Sequence, residues 1–245
     1  MQIKVENVYY KKYKNLNFEI EDNKITGLVC NDIFILENIN KMLKNNDIKK
    51  GTITYSNKNK IGIISGSYIN NMLEGTVLDY LGVSAVDTKK LQMFDLEKEI
   101  LNQSIESLSS TEKIKILFLD CILKDCDTIL IDGILEELDD YTKEKILKLI
   151  LRLKKFKNKT IVVGTIDIDS IYEYIDNLII INNDKCIFSN NKYSIFEENK
   201  NIIYRPFVIK IKEMIYKKSN IDLGNNDSIN ELIKAIYREI RWLYD

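Results

Sequence analysis

Ile25-Thr26-Gly27-Leu28-Val29-Cys30-Asn31-Asp32-Ile33-Phe34-Ile35-Leu36-Glu37-Asn38 changes its period halfway along. The first half, Ile25 to Val29, is a continuous apolar run of strand length, the pattern of a strand buried on both faces. From Ile33 onward apolar residues recur at helical spacing: Ile35, Ile39, Met42 and Leu43. Asn31 or Asp32 is placed to cap that helix. The stretch therefore reads as strand, short loop, helix.

The same alternation extends in both directions. Upstream, Ile3, Val5 and Val8, then Leu16, Phe18 and Ile20, alternate as in strands of an antiparallel sheet. Downstream, Thr52–Ser56 and Lys60–Ile64 read as strands, residues 67–107 as a mixed, partly helical region, and Thr111–Leu123 as an apolar helix. Then come strand Thr128–Asp132, amphipathic helix Thr142–Phe156, strand Thr160–Gly164, a helical Ile171–Ile175 and strand Leu178–Ile181. Strands alternating with helices imply a parallel sheet wrapped by helices. Near Asn199 to Arg205 the character changes to a helical tail, Phe207–Ser219 and Ser228–Tyr244. Ile229, Leu232, Ile233, Ile236 and Ile240 of the tail fall on one face. This divides the chain into a main domain, 1–200, with a helical subdomain at about 67–125, and an extension, 201–245. The tail is read either as a docked hairpin or as a dimerisation element.

Composition sets outer limits. The chain has 245 residues, 45% hydrophobic and 30% charged, with a net charge of −1. Basic residues are interleaved with acidic ones, which argues against a nucleic-acid groove. Histidine is absent, which removes Ser-His-Asp and Cys-His mechanisms and any imidazole base. The four cysteines, Cys30, Cys121, Cys126 and Cys186, form no CxxC pair, so the usual Cys/His zinc sites are not expected. They read as free, mostly buried thiols of a reducing cytosol. No apolar run reaches the ~18 residues of a membrane span, so a membrane role would pass through a partner.

Three segments carry further chemistry. The loop Cys30 to Asn38 sits where a strand enters a helix, a place suited to anions. The run Ile129-Leu130-Ile131-Asp132-Gly133-Ile134-Leu135-Glu136-Glu137-Leu138-Asp139 brings a carboxylate to the end of a buried strand. Ser107-Leu108-Ser109-Ser110-Thr111-Glu112-Lys113-Ile114-Lys115 precedes an apolar helix and by itself reads as a cap in which Ser110 or Thr111 begins the helix.

In this order the segments resemble the ATP-binding subunits of ABC transporters, especially those of energy-coupling factor transporters, and the resemblance covers nearly the whole chain. It implies a P-loop NTPase-like ABC fold with an antiparallel N-terminal β-subdomain, a shortened helical subdomain and a C-terminal helical hairpin. It also places the family's functional positions. The phosphate-loop glycines fall on Cys30, Ile33 and Ile35, its lysine on Leu36 and its hydroxyl on Glu37, with Asn31, Asp32 and Asn38 completing the loop. The magnesium-linked aspartate is Asp132, the water-polarising glutamate falls on Gly133, and the D-loop is Leu138-Asp139. The signature keeps Leu108 and Ser109, with Ser110, Thr111 and Glu112 in place of Gly-Gly-Gln. The Q-loop glutamine falls on Gly66 and the switch histidine on Ile166. Tyr9, Tyr10 and Tyr13 are candidates for the aromatic that stacks on adenine, with surface or core tyrosines of the antiparallel sheet the favoured alternative.

A phosphate loop needs glycine for close backbone approach, a lysine for the phosphates and a hydroxyl for magnesium. None of these residue types stands at its position here. Asp32 and Glu37 are read either as supplying in cis the negative charge that phosphate once brought to the helix start, or as drift in an unused loop. The resemblance thus implies a pseudo-ATPase, with no cofactor for the isolated chain and MgATP admitted only weakly or at a shared dimer interface. It would act as a structural or regulatory partner beneath a transmembrane transporter subunit, cytoplasmic or peripheral on the inner face of the membrane. Pairing with an intact ABC ATPase is favoured over a homodimer. A non-transport scaffold and a divergent active ATPase are the competing readings.

Overall fold

A computed structural model describes residues 3–56, 60–72, 74–182, 185–198 and 205–244. Three strands, β1 (Ile3–Tyr10), β2 (Tyr13–Ile20) and β4 (Lys50–Tyr55), form an antiparallel sheet in the order β2-β1-β4. Six more build the central sheet: β3 (Ile25–Cys30), β5 (Ile61–Ser65), β6 (Thr128–Asp132), β7 (Thr160–Thr165), β8 (Asn177–Asn182) and β9 (Lys185–Ser189). Their order is β5-β6-β7-β3-β8-β9. The first five are parallel and β9 runs antiparallel to β8.

The helices are α1 (Ile33–Asn45), α2 (Gly66–Asn70), α3 (Val77–Leu81), α4 (Thr88–Met93), α5 (Ser110–Leu123), α6 (Asp140–Lys157), α7 (Ile168–Ile171), α8 (Ser194–Glu198), α9 (Phe207–Ser219) and α10 (Ile229–Tyr244). This is the architecture that the family resemblance implies, a mixed α/β fold with an antiparallel sheet and a parallel-rich sheet wrapped by helices.

Two apolar cores lie on opposite faces of the central sheet. One packs α1 through Ile35, Leu36, Ile39, Met42 and Leu43 between the antiparallel sheet and the strands. The other gathers α5, α6, the helical region after α2 and the C-terminal helices. β3, β6 and β7 are buried along their whole length, as continuous apolar strands covered on both faces must be.

Several local expectations are corrected. The expected helix at Ile171–Ile175 lies at Ile168–Ile171, because the Asp167 side chain accepts from Asp169 N at 3.1 Å and starts it earlier. β9 and α8 were not expected. Among the described side chains of α10, Leu232 and Ala235 are buried and Ile236 packs partly buried on the core, while Ile229 and Ile233 stay 49% and 43% exposed. The helix is therefore rotated from the single apolar face expected. The side chain of Ile240 and the expected boundary at 200/201 lie outside the described residues. Tyr10 and Tyr13 face each other across β1 and β2 and are buried, so they serve the sheet rather than stand free as stacking aromatics.

Candidate functional site

The parallel strands end in register. Ser65 pairs with Asp132, Asp132 with Gly164, and Val29 with Thr165. The residues just beyond these ends therefore share the carboxyl edge of the sheet, where open α/β folds build their sites. The structure brings together there the loop at 30–38, Gly66, Asp132-Gly133, Glu136-Glu137 and Thr165-Ile166.

The loop is held by α1 itself. Asp32 is its N-cap, and Oδ1 accepts from Phe34 N at 2.9 Å. Asp32, not Asn31, thus satisfies an amide at the helix start, where a carboxylate is also favoured by the dipole. Glu37 does not share this role. The first turn holds no acidic residue, and Glu37 lies one turn on, where it receives Lys41 Nζ at 2.5 Å.

Ile33 and Leu36 project from α1 onto neighbouring glycines. Gly133 adopts φ +54°, and a Cβ built on it would meet Ile33 Cδ1 and Cγ1 at 2.5 Å. A Cβ on Gly164 would meet Leu36 Cδ2 at 3.1 Å and the Ile131 carbonyl at 2.9 Å. Leu36 is fully buried, while Phe34 beside it is 67% exposed.

Asp132 is 9% exposed and its carboxyl is pushed up to about 7. Burial is the main cause and the nearby Glu37 the second, against the opposite pull of Asn40 and Lys41. It lines a cavity of about 200 Å³ with Glu37, Asn40, Lys44, Ser65 and Tyr68. Lys44, on the far turn of α1, donates to the Tyr68 hydroxyl at 2.7 Å.

The remaining positions are engaged with neighbours. Gly66 opens α2, and Glu137 Oε1 lies 3.3 Å from where its Cβ would stand. Ile166 is 45% exposed, and its N–H donates to Glu136 Oε1 at 2.9 Å. Thr165 Oγ1 donates to the same carboxylate oxygen. Glu136 thus ties the turn after β6 to the turn after β7. Glu136 and Glu137 escaped notice in the sequence because their partners lie far away along the chain.

Ser110 begins α5, one of the two starts expected, and Ser109 caps it. Its hydroxyl donates to Glu112 Oε2 at 2.7 Å, its N–H to the same oxygen at 2.8 Å, and Glu112 N donates back to Ser109 Oγ at 3.3 Å. These bonds hold Glu112 below the usual carboxylate range. Leu108 is buried beneath the cap and Ser110 starts the helix. Asp139 caps α6, accepting from Thr142 N at 3.0 Å, with Leu138 packed on the core beside it.

Comparisons with known proteins agree with this frame. No protein-family model matches the chain. It is 25% identical over 272 aligned positions to the energy-coupling factor transporter ATP-binding protein EcfA1 of Fusobacterium nucleatum, covering 97% of this chain and 99% of that protein. It is 28% identical over 105 residues to EcfA2 of Staphylococcus saprophyticus, a match that covers 43% of this chain and 37% of that protein. The structure of CbiO1 from Clostridium perfringens, described as part of the ABC transporter complex CbiONQ, superposes with a TM-score of 0.69 at 16% identity, covering 89% of this chain and 95% of that one.

Proposed function

We propose that this chain, with the ABC ATPase fold and a sequence similar throughout to energy-coupling factor ATP-binding proteins, is an ABC-type nucleotide-binding subunit that no longer turns over ATP. It serves a transporter complex as a structural or regulatory partner. The observation that carries this reading is the filling of the carboxyl edge by the chain's own side chains, with Ile33 against Gly133 and Leu36 against Gly164.

On this reading the residues present do not fit MgATP. An apolar loop strips water from a polyanion without replacing its hydration, and Glu37 adds a like charge. Asp132, buried with Glu37 nearby and its carboxyl pushed up to about 7, is a poor partner for magnesium, which wants ionised oxygen donors. Gly133 has no group to act as a base, and Ile166 offers no side-chain hydrogen bond. Ser109 spends its hydroxyl on its own helix. What persists is scaffolding: Asp32, Ser109 and Asp139 cap three helices around the edge.

The partners that follow are an intact ABC ATPase, in a heterodimer, and a transmembrane subunit. A homodimer would lack a complete site on either side. None of the described helices is long and apolar enough to cross a membrane, so contact with the bilayer would run through that subunit. Titration calorimetry of the isolated chain with MgATP is expected to give no binding in the micromolar range, and micromolar binding would overturn the reading. Co-purification should bring down an integral-membrane protein or an ABC ATPase with an intact phosphate loop. Recovery of neither would favour a scaffold outside transport.

A further inference from the structure

Helix α5 ends in a Schellman motif. Cys126 N donates to the Cys121 carbonyl at 2.8 Å, Asp125 N to the Ile122 carbonyl at 3.2 Å, and Asp125 between them adopts φ +51°. That motif brings the side chains three residues before and two residues after the helix cap into contact, usually as an apolar pair. Here both are cysteines, Cys121 at 4% exposure and Cys126 at 6%.

The strand beside them leaves room for both sulfurs. A Cβ on Gly62 of β5 would lie 2.5 Å from Cys121 Sγ and 3.2 Å from Cys126 Sγ. Gly62 does not have a left-handed backbone, so nothing in its conformation demands glycine. The space its missing side chain leaves is the space the two sulfurs occupy.

The two thiols are not equivalent. A hydrogen bond between them holds Cys126 below its ordinary value and Cys121 well above. Lys159 and Lys124 favour the Cys126 thiolate further, while burial and Asp120 oppose it. Both lysines are themselves paired, Lys124 with Asp120 at 2.7 Å and Lys159 with Asp125 at 3.1 Å. Two thiols held in contact by the turn, with lysines favouring ionisation of Cys126, give the pairing that an attacking and a resolving cysteine require.

We propose that Cys121 and Cys126 form a redox-active dithiol that closes to a disulfide when the protein meets a hydroperoxide. The Cys126 thiolate attacks the terminal peroxide oxygen, forming an S–O bond as the O–O bond breaks. The product is a sulfenic acid, and the leaving hydroxide takes up a proton to become water. The Cys121 sulfur then attacks Cys126 Sγ, forming the S–S bond and expelling hydroxide, which takes the Cys121 proton and leaves as a second water. Overall two thiols lose two electrons and two protons, and hydrogen peroxide is reduced to two waters. The bond fixes the turn that joins α5, whose start carries Ser109, to β6, whose end carries Asp132. In a reducing compartment such a bond is transient, as sensing disulfides are.

The test uses the native full chain. It is exposed to hydrogen peroxide, quenched with catalase, unfolded, alkylated and digested with trypsin, which cuts after Lys124 between the two cysteines. Mass spectrometry should recover the peptide ending at Lys124 joined to the peptide beginning at Asp125, two hydrogens lighter than the separate peptides. Dithiothreitol should split the pair, and Cys30 and Cys186 should stay alkylated. In Cys121→Ser, dimedone should label Cys126, and in Cys126→Ser, Cys121 should stay reduced. Full alkylation of Cys121 and Cys126 in the wild-type chain at a peroxide dose that oxidises Cys186 overturns the proposal. A crosslink from either residue to another cysteine overturns it equally, and the wild-type measurement decides without relying on either variant folding.

Discussion

Gly133→Ala tests whether Ile33 fills the position after Asp132. Two costs add at this residue. The backbone there is left-handed, at φ +54°, which costs an alanine about 1–2 kcal/mol relative to glycine. The new methyl would also start 2.5 Å from two carbons of Ile33, and overpacking of this kind costs about 1–3 kcal/mol. The variant should therefore lose about 2–5 kcal/mol. Ile33→Ala removes only the second cost. Because Ile33 is 39% exposed, its own truncation should cost no more than about 1–2 kcal/mol. In the double variant the clash is gone and the backbone cost remains, so the cycle should show a favourable coupling of about 1–3 kcal/mol. Urea unfolding followed by circular dichroism gives all four stabilities, provided the m-value is unchanged. Gly133→Ala costing under about 1 kcal/mol, or a coupling within about 0.3 kcal/mol of zero, would refute the packing of Ile33 on Gly133 and the reading built on it.

Other perturbations probe neighbouring parts. Asp132 has a folded-state pKa of about 7, above its ordinary 3.8, so the native state binds the extra proton and stability falls as pH rises between those values. Asp132→Asn should accordingly stabilise the protein above pH 7 by up to about 4 kcal/mol, a gain that vanishes toward pH 4. Thermal unfolding across that range checks it, and a gain independent of pH would contradict it. Lys192 is 5% exposed and donates to the Tyr172 carbonyl at 2.9 Å and to Asp227 Oδ1 at 2.8 Å, just ahead of α10. Lys192→Ala should cost about 2–4 kcal/mol and raise amide exchange in α9 and α10 before the central sheet, and unchanged exchange there would refute the anchoring role. Ser109→Ala should lose about 1 kcal/mol through the cap alone and return Glu112 toward its ordinary pKa, read by carboxylate NMR.

Much of the fold could be read locally. The strand–loop–helix at Ile25–Asn38 combines a buried parallel strand, an aspartate cap and helical spacing, and each of these signals lies within a few residues of its effect. β9 and α8 were hidden because β9 gains its order from pairing with β8 and α8 is short. The rotation of α10 was hidden because the core it meets, not its own pattern, chooses which of several isoleucines is buried. In the site, the family resemblance supplies the positions to look at, but how Ile33, Leu36 and Glu136 pack there could not be read from the sequence. That Glu37 faces Asp132 and Lys41 rather than the helix start follows from the exact first residue of α1.

The replacements interlock. A glycine at 133 leaves space that Ile33 takes, and Gly164 accepts Leu36 from the same helix. Glu137 approaches the open side of Gly66, and Glu136 bonds the turn that carries Ile166. Gly66, Gly133 and Ile166, three positions that the family resemblance assigns to nucleotide chemistry, are each contacted by a residue from another such position or from the turn after β6. Restoring one polar group at a time therefore meets a filled space. A glutamate at 133 collides with Ile33 before it can orient water, and a lysine at 36 must leave an apolar site packed against Gly164. On this reading the edge has become a second small core that fixes α1 against the sheet without phosphate. Regaining nucleotide binding would require exchanging Ile33, Leu36 and Glu37 together, since desolvation, steric exclusion and like charge each oppose the ligand independently.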